Sequence, residues 1–388
     1  MSLPISNATP RQKVSRRRLI ALVLSIGGVG VIVGWLASAF DRGRLYRGEP
    51  ISDWVDRAVR CGDVPEFYYW GQKEPKSGSA YQQLQRIGAA AMPCLMTRIG
   101  APDRVAHRTW VAVYENLPPL LQLYLPSPPD KRSERAEALR ILPLLGSNAA
   151  PTTPLLIRLL QQTNDFGSAW LAANSLAAIG PAARDAVPFL TASWRANANI
   201  RVPIAMALWS IDRQTNLALR TLVGAARQTN GSGYLAPQML ASMGKAAEPA
   251  IPTLIEIVRD GRRDWSDRSQ AVFALGKLKV KTADVFAALR EASQDTNVCL
   301  RVSACRSLWQ LDAANAPLVV SAAVEGLRNA IPSHYFCAEV LGELGADARS
   351  AIPVLKAACA TGPSELRSRA AAALTKIERV DRSESLRK

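Results

Sequence analysis

Chemistry near neutral pH needs a nucleophile with a base, or a set of metal ligands. The groups that could supply either are two histidines, His107 and His334, and six cysteines, Cys61, Cys94, Cys299, Cys305, Cys337 and Cys359. A structural zinc site gathers four soft ligands and is usually announced by a C-x-x-C pair; no two cysteines here stand at that spacing. His107 falls in Arg104–Tyr114, which reads as a helix with Arg108 and Trp110 beside it. His334 stands just before a helix that starts near Tyr335. Both read as surface or capping histidines. No G-x-S-x-G, H-E-x-x-H, Walker or dinucleotide glycine loop is present. The expectation is therefore a chain with no catalytic residues, no cofactor and no metal.

Aromatic and arginine side chains remain as recognition groups. Phe67, Tyr68, Tyr69 and Trp70 cluster in a stretch from Cys61 to Ser79 that also holds Lys73, Pro75 and Gly78, and reads as a long loop. The cluster is the leading candidate for a partner contact; the competing reading staples the loop onto the first helix. The chain carries 48 basic and 32 acidic residues, a net +16. Setting aside Arg11, Lys13, Arg16, Arg17 and Arg18 of the acid-free first forty residues leaves +11. The run Arg259-Asp260-Gly261-Arg262-Arg263-Asp264 alternates in sign and reads as a solvated turn. Without aromatics interleaved in a basic stripe, nucleic acid is not expected as a partner.

Leu19 to Phe40 is a charge-free run of 22 residues. At 1.5 Å per residue it would cover about 33 Å, enough for a bilayer core of about 30 Å. The five basic residues before it outnumber Arg42, Arg44 and Arg47 after it, which acids dilute. That bias predicts a single-pass inner-membrane protein with a cytoplasmic amino terminus and residues 41–388 outside. Ala37-Ser38-Ala39 leaves export after signal cleavage as the alternative. Gly30 and Gly34, with Ser38, could pack two such helices into a homodimer.

The rest of the chain is periodic. Aligned on Gly180, Asp212, Gly244, Gly276, Asp312, Gly345 and Glu378, it repeats every 32 to 36 residues. One residue before each marker stands an aliphatic side chain: Ile179, Ile211, Met243, Leu275, Leu311, Leu344 and Ile377. Four before, the series is Leu176, Leu208, Leu240, Val272, Leu308, Leu341 and Leu374. Seven before, it runs Ala173, Ala205, Pro237, Ser269, Cys305, Ala338 and Ala371. These offsets describe one helical stripe, bulky near its end and small above. After the marker, Ala-Val/Ile-Pro recurs at Pro188, Pro252 and Pro353, with Pro154 matching after Gly146; a leucine follows at Leu156, Leu190, Leu254 and Leu355. Glycine suits a left-handed helix cap and proline a helix start, so each unit is a helical hairpin. In this register Cys305 fills a small stripe position, and Cys359 the place held by Leu160, Trp194 and Val258. Both read as core, although an oxidising location would allow a Cys305–Cys337 bond.

This pattern resembles the short bacterial form of the HEAT repeat. The resemblance covers roughly residues 131–380, and Ile87-Gly88 with Met92-Pro93 looks like a shortened outlying unit. It implies an all-α, right-handed superhelical solenoid of stacked hairpins, here preceded by one transmembrane helix. Arg201, Arg301 and Arg367, eleven residues before their markers, match the arginine that HEAT units carry near the start of the first helix. Tyr46-Arg47-Gly48-Glu49-Pro50-Ile51-Ser52-Asp53-Trp54 is similar to the opening of membrane-anchored bacterial HEAT proteins. There Ser52 could cap a helix with Trp54, Val55, Ala58 and Val59 on its apolar face, and Trp54 could instead hold a ligand. The expected division is a basic tail (1–18), a membrane helix (19–40), an irregular cap with a Pro-rich linker (41–130), the solenoid (131–380) and a disordered tail (381–388). The resemblance implies a scaffold that binds a protein partner. Its alternatives are an array similar to the bilin lyases and a structural component of the envelope.

Overall fold

The computed structural model describes residues 45–61, 80–100, 111–118, 122, 131–162, 165–228, 233–329 and 334–385. Among these, no helix is long and apolar enough to cross a membrane. The run Leu19–Phe40, with Gly30 and Gly34, lies outside the described residues.

The described chain opens on a two-stranded ribbon, β1 (Leu45–Tyr46) and β2 (Glu49–Pro50), with Tyr46 opposite Glu49. Arg47 and Gly48 turn it with φ of 52° and 81°. Left-handed backbone at both central residues is the hairpin turn that a two-residue loop favours, and it accounts for the glycine in the Tyr-x-Gly opening. Helix α1 (Ile51–Cys61) follows at once. Ser52 is therefore inside the first turn, not ahead of it, with its hydroxyl 3.4 Å from Asp53 Oδ1. The apolar face is as expected: Ile51, Val55, Ala58 and Val59 are buried.

The hairpin register holds along the array. The first helices are α2 (Ala80–Ile87), α4 (Lys131–Leu145), α6 (Phe166–Ile179), α8 (Arg201–Asp212), α10 (Ala236–Ser242), α12 (Trp265–Leu278), α14 (Val298–Leu311), α16 (His334–Leu344) and α18 (Ser364–Ser385). The second helices are α3 (Met92–Gly100), α5 (Thr153–Gln161), α7 (Val187–Ala196), α9 (Thr215–Ala226), α11 (Ile251–Arg259), α13 (Ala283–Ala292), α15 (Ala316–Arg328) and α17 (Ile352–Thr361). Gly88, Gly146, Gly180, Gly244 and Gly345 all adopt positive φ where a first helix ends, and each opens a 3-10 turn. Proline then sits in the first turn of α5, α7, α11 and α17. The leucine that follows, Leu156, Leu190, Leu254 or Leu355, is fully buried.

Four markers act differently from their glycine counterparts. Asp312 ends α14 in extended backbone at φ −148°, and its carboxylate accepts from Ala314 N. Asp212 ends α8, and Arg213 takes the left-handed cap at φ 54°. Gly276 lies inside α12 and is no cap; Lys279 takes that role at φ 56°. A Cβ on Gly276 would stand 2.7 Å from Ser307 Oγ, so this glycine lets α14 approach. Glu378 belongs to the uninterrupted α18, which continues to Ser385 and into the segment read as a tail.

The stripe is core. Ile179, Ile211, Met243, Leu275, Leu311, Leu344 and Ile377 are buried, as are Leu176, Leu208, Leu240, Val272, Leu308 and Leu341. Ala371 is the departure: it is exposed, because α18 ends the described stack and Ala370 and Ala373 face the preceding hairpin instead. The buried residues fall into three clusters that hand over within single helices. In α8, Ile204 and Leu208 face the preceding hairpins, while Val202, Ala205 and Met206 face the following ones. In α14, Leu300 and Leu308 look back and Val302 and Cys305 look forward. A hairpin that shares its helices with both neighbours is the packing logic of a solenoid. The fold is an all-α helical-repeat array.

Candidate functional site

An open groove of about 1280 Å³ lies over the second, third and fourth units of the main array. Its walls come from the first turns of α6 and α8, the last turn of α7, one face of α9, and Leu235 ahead of α10. The reason it is open lies in α10. That helix has seven residues, where α6, α12 and α14 have fourteen. In sequence register, Asn230-Gly231-Ser232-Gly233 aligns with the positions at which neighbouring units begin their first helix, and glycine disfavours helix by about 1 kcal/mol per residue. α10 packs on α9 and α12, but only marginally on α8. Arg201 at the start of α8, and Arg220, Gly224 and Gln228 on the outer face of α9, are exposed beside it.

Three aromatic rings face this space. Phe166 is 46% exposed and lies 6.1 Å from the half-buried Trp170. Trp194, at the end of α7, lines the opposite wall. The repeat register placed Trp194 in a core series with Leu160 and Val258. Those two are buried, whereas Trp194 is half-exposed, so the structure corrects that assignment. Arg201 lies with its guanidinium 5.3 Å from the Trp194 ring centroid and donates through Nε to the Trp194 carbonyl at 3.0 Å. Arg220 projects from α9 and donates Nε to the Asn216 carbonyl at 3.3 Å. Leu217, Arg220, Thr221, Gly224 and Gln228 share one face of α9 by their spacing. Among the described residues, no acid lines the groove. Asp165, beside Phe166, is committed to capping α6, accepting from Ser168 N at 3.1 Å and standing 3.9 Å from Arg135.

Of the described residues that the sequence singled out, Arg201 lines this groove, and Trp54, Arg301, Arg367 and His334 do not. Trp54 is half-buried against the cap. Its Nε1 donates to Tyr46 O at 3.3 Å, its ring meets Tyr46 edge-on, and Arg57 stacks on it at 4.0 Å. Arg301 donates to the carbonyls of Asp295 and Thr296 and pairs with Glu325 at 2.6 Å. Arg367 is exposed near the start of α18. Phe67, Tyr68, Tyr69 and Trp70 lie outside the described residues, as does His107. His334 is the first residue of α16, with its ring 6.5 Å from Tyr335.

Toward the carboxyl end, arginines meet acids of adjoining units. Arg259 pairs with Glu291 at 2.8 Å, Arg268 with Asp295 at 2.9 Å, and Arg306 with Glu343 at 2.6 Å. Arg268 also donates to Val258 O at 2.8 Å, the carbonyl clasp that Arg201 and Arg301 make in their units; its offset hid it from the sequence alignment. Burial alone would raise the Asp295 carboxyl. Hydrogen bonds from Asn297 N and Arg268 outweigh that and hold it below the ordinary carboxylate range. Arg263, expected in a solvated turn, is almost buried and donates to Ala226 O and Arg227 O, closing the carbonyl end of α9.

Cys94, Cys299, Cys305, Cys337 and Cys359 are free thiols, so Cys305 and Cys337 are not bonded. Burial pushes the Cys305 thiol up to about 11 and the Cys337 thiol up to about 12. Cys337 fills the space beside Gly326, where a Cβ would fall 2.5 Å from its sulfur. Cys359 is only half-buried. Among the described residues no three His, Cys, Asp or Glu side chains gather as a metal site.

No family model and no curated protein matches this chain. Among solved structures it is similar to an engineered protein at 17% identity and a TM-score of 0.33, covering 84% of this chain and 94% of that one. It is also similar to Kap121p, at 12% identity and a TM-score of 0.36, and to a Kap121p mutant, at 12% identity and 0.35. The chain aligns over 85% and 86% of its own length with these two, and spans under half of theirs. At such scores the fold assignment rests on the hairpin register described above, and not on the likeness.

Proposed function

We propose that this chain is a protein-binding scaffold of the HEAT type, a right-handed solenoid held at a membrane by residues 19–40, with its repeats outside the cytoplasm and no catalysis of its own. The observation that carries the reading is the groove: Phe166, Trp170 and Trp194 beside two arginines. Aromatic anchors with arginine are the composition that dominates binding energy at protein interfaces. A photo-crosslinking residue at Phe166, introduced in the full chain in cells, is expected to give an adduct of discrete mass. The same residue at Lys279, at a turn away from the groove, is expected to give none. Adducts absent from Phe166, or equal at both sites, would overturn the reading. The topology is tested separately: a reporter fused after Lys388 that works only in the cytoplasm would sink the proposed orientation. Self-association through Gly30 and Gly34 belongs to the same proposal and is tested by Gly30→Leu in the intact, membrane-inserted chain.

A further inference from the structure

We infer that the groove takes an acidic segment of polypeptide studded with apolar side chains, laid against α9 at Gly224. The inference rests on the protein-binding reading and names the chemistry of the partner.

Charge is the first argument. From Val187 to Ala247 the sequence holds six cations and one acid, Asp212. Asp212 is already 3.7 Å from Arg184. Arg201 and Arg220 line the groove, both exposed, and neither has an acid within ion-pair distance among the described residues. Elsewhere in the array Arg259 meets Glu291, and Arg306 meets Glu343, on adjoining units. Here no described acid supplies the complementary charge, which leaves it to an occupant, and such complementarity governs partner choice and encounter rate.

Gly224 is an independent argument. Gly276, Gly326 and Gly342 also sit inside helices, and each is explained by a neighbouring helix: a Cβ there would lie 2.7, 2.5 and 3.0 Å from other atoms. A Cβ on Gly224 would meet nothing within 4 Å. Alanine would favour the helix there, and no packing contact among the described residues forbids it. The residue lines the groove, where the missing side chain leaves the α9 backbone open to close approach by an occupant.

The floor decides the chemical class. The half-buried Leu217 and Leu235 offer apolar contact between the aromatic walls, so the occupant carries apolar side chains as well as carboxylates. Two arginines are too few for a nucleic acid, whose binding draws its strength from many phosphate contacts.

The test uses the full chain in detergent and a fluorescein-labelled peptide of repeating Glu-Leu-Glu-Phe, with Lys-Leu-Lys-Phe and Glu-Ser-Glu-Ser as comparison probes, read by fluorescence anisotropy. The Glu-Leu-Glu-Phe peptide is expected to bind at least about tenfold more tightly than either. Its affinity is expected to fall with salt, and to drop at least about tenfold in the Arg201→Glu, Arg220→Glu double variant. Gly224→Trp should block binding without lowering helical circular dichroism or the melting temperature, since the position has room. Equal binding of the lysine peptide, unchanged binding by the variants, or no binding of any peptide would overturn the inference. So would stronger competition from phosphatidylglycerol vesicles or a single-stranded oligonucleotide. Because the cross-link at Phe166 reports any protein partner, it can succeed where the peptide fails, which separates this inference from the reading beneath it.

Discussion

The groove and the carboxyl-terminal half of the array are built from the same hairpin but use arginine in different ways. In the latter, Arg259, Arg268, Arg301 and Arg306 reach acids of neighbouring elements, and the charge is neutralised within the stack. Around the groove, Arg201 and Arg213 lie against the rings of Trp194 and Trp209, and Arg220 turns back to its own helix. Glycine divides in the same way. Gly276, Gly326 and Gly342 admit a neighbouring helix, while Gly224 admits nothing within the chain. One region is closed upon itself. The other leaves charge, rings and backbone available, which is what distinguishes a binding surface from a structural one when both share a fold.

The buried stripe should not tell the two regions apart. Leu208 and Leu308 occupy equivalent positions at 0% and 1% exposure. Leu208→Ala and Leu308→Ala are each expected to cost about 2–5 kcal/mol, the usual range for a leucine cavity in a core. Urea unfolding would show it, and a cost for Leu208→Ala near zero would mean that the groove region is not packed as described. Glycine replacement should separate them. Gly276→Val drives a side chain into Ser307, whose hydroxyl donates to Val272 O at 3.0 Å, and should cost about 1–3 kcal/mol through overpacking.

Arginine removal is the next test. Arg268→Ala deletes bonds to both Asp295 and Val258 O, and hydrogen bonds involving a charged group contribute about 1.5–3 kcal/mol each at most; a loss near the lower figure is expected, because both partners retain some exposure. Part of it should depend on pH. The Asp295 carboxyl is held below its unfolded value, so its stabilisation is complete above the unfolded pKa of about 4 and disappears as pH falls through the folded one. The gap between wild type and Arg268→Ala should therefore narrow in acid. A gap that stays constant down to pH values near 2, or about there, would assign the whole effect to the Val258 carbonyl bond.

Much of this architecture was legible in the sequence, because a solenoid repeats its physical demands. The marker glycines, the prolines and the stripe of aliphatic side chains each answer one need of one hairpin, and seven copies reveal the period. The same repetition conceals the site. Trp194 aligns with Leu160 and Val258, and the register alone makes it core. It is only half-buried because its ring lines the groove against Arg201 at the start of α8, a property of its surroundings and not of its place in the register. Two signals were nevertheless present: the Asn230-Gly231-Ser232-Gly233 run where a helix should start, and the scarcity of acids from Val187 to Ala247. Arg268 escaped for a related reason. Its guanidinium reaches the same kind of carbonyl as Arg201 from three positions later in its unit, and a side chain as long as arginine can do so without keeping register.

The smallest expected effects are the most discriminating. Arg220 is exposed and donates to the carbonyl of Asn216 on its own helix, so Arg220→Ala should change stability by no more than about 0.5 kcal/mol. Gly224→Ala should go further and stabilise the chain, by up to about 1 kcal/mol, since alanine gains helix propensity and its Cβ meets nothing. The measurement is the midpoint of urea unfolding at constant slope. A residue kept for packing cannot be improved in this way. If Gly224→Ala destabilises, α9 is covered by some part of the chain itself, and the contrast between the closed and the open region fails at the position where it is sharpest. If it stabilises, the glycine is present for a reason other than the fold.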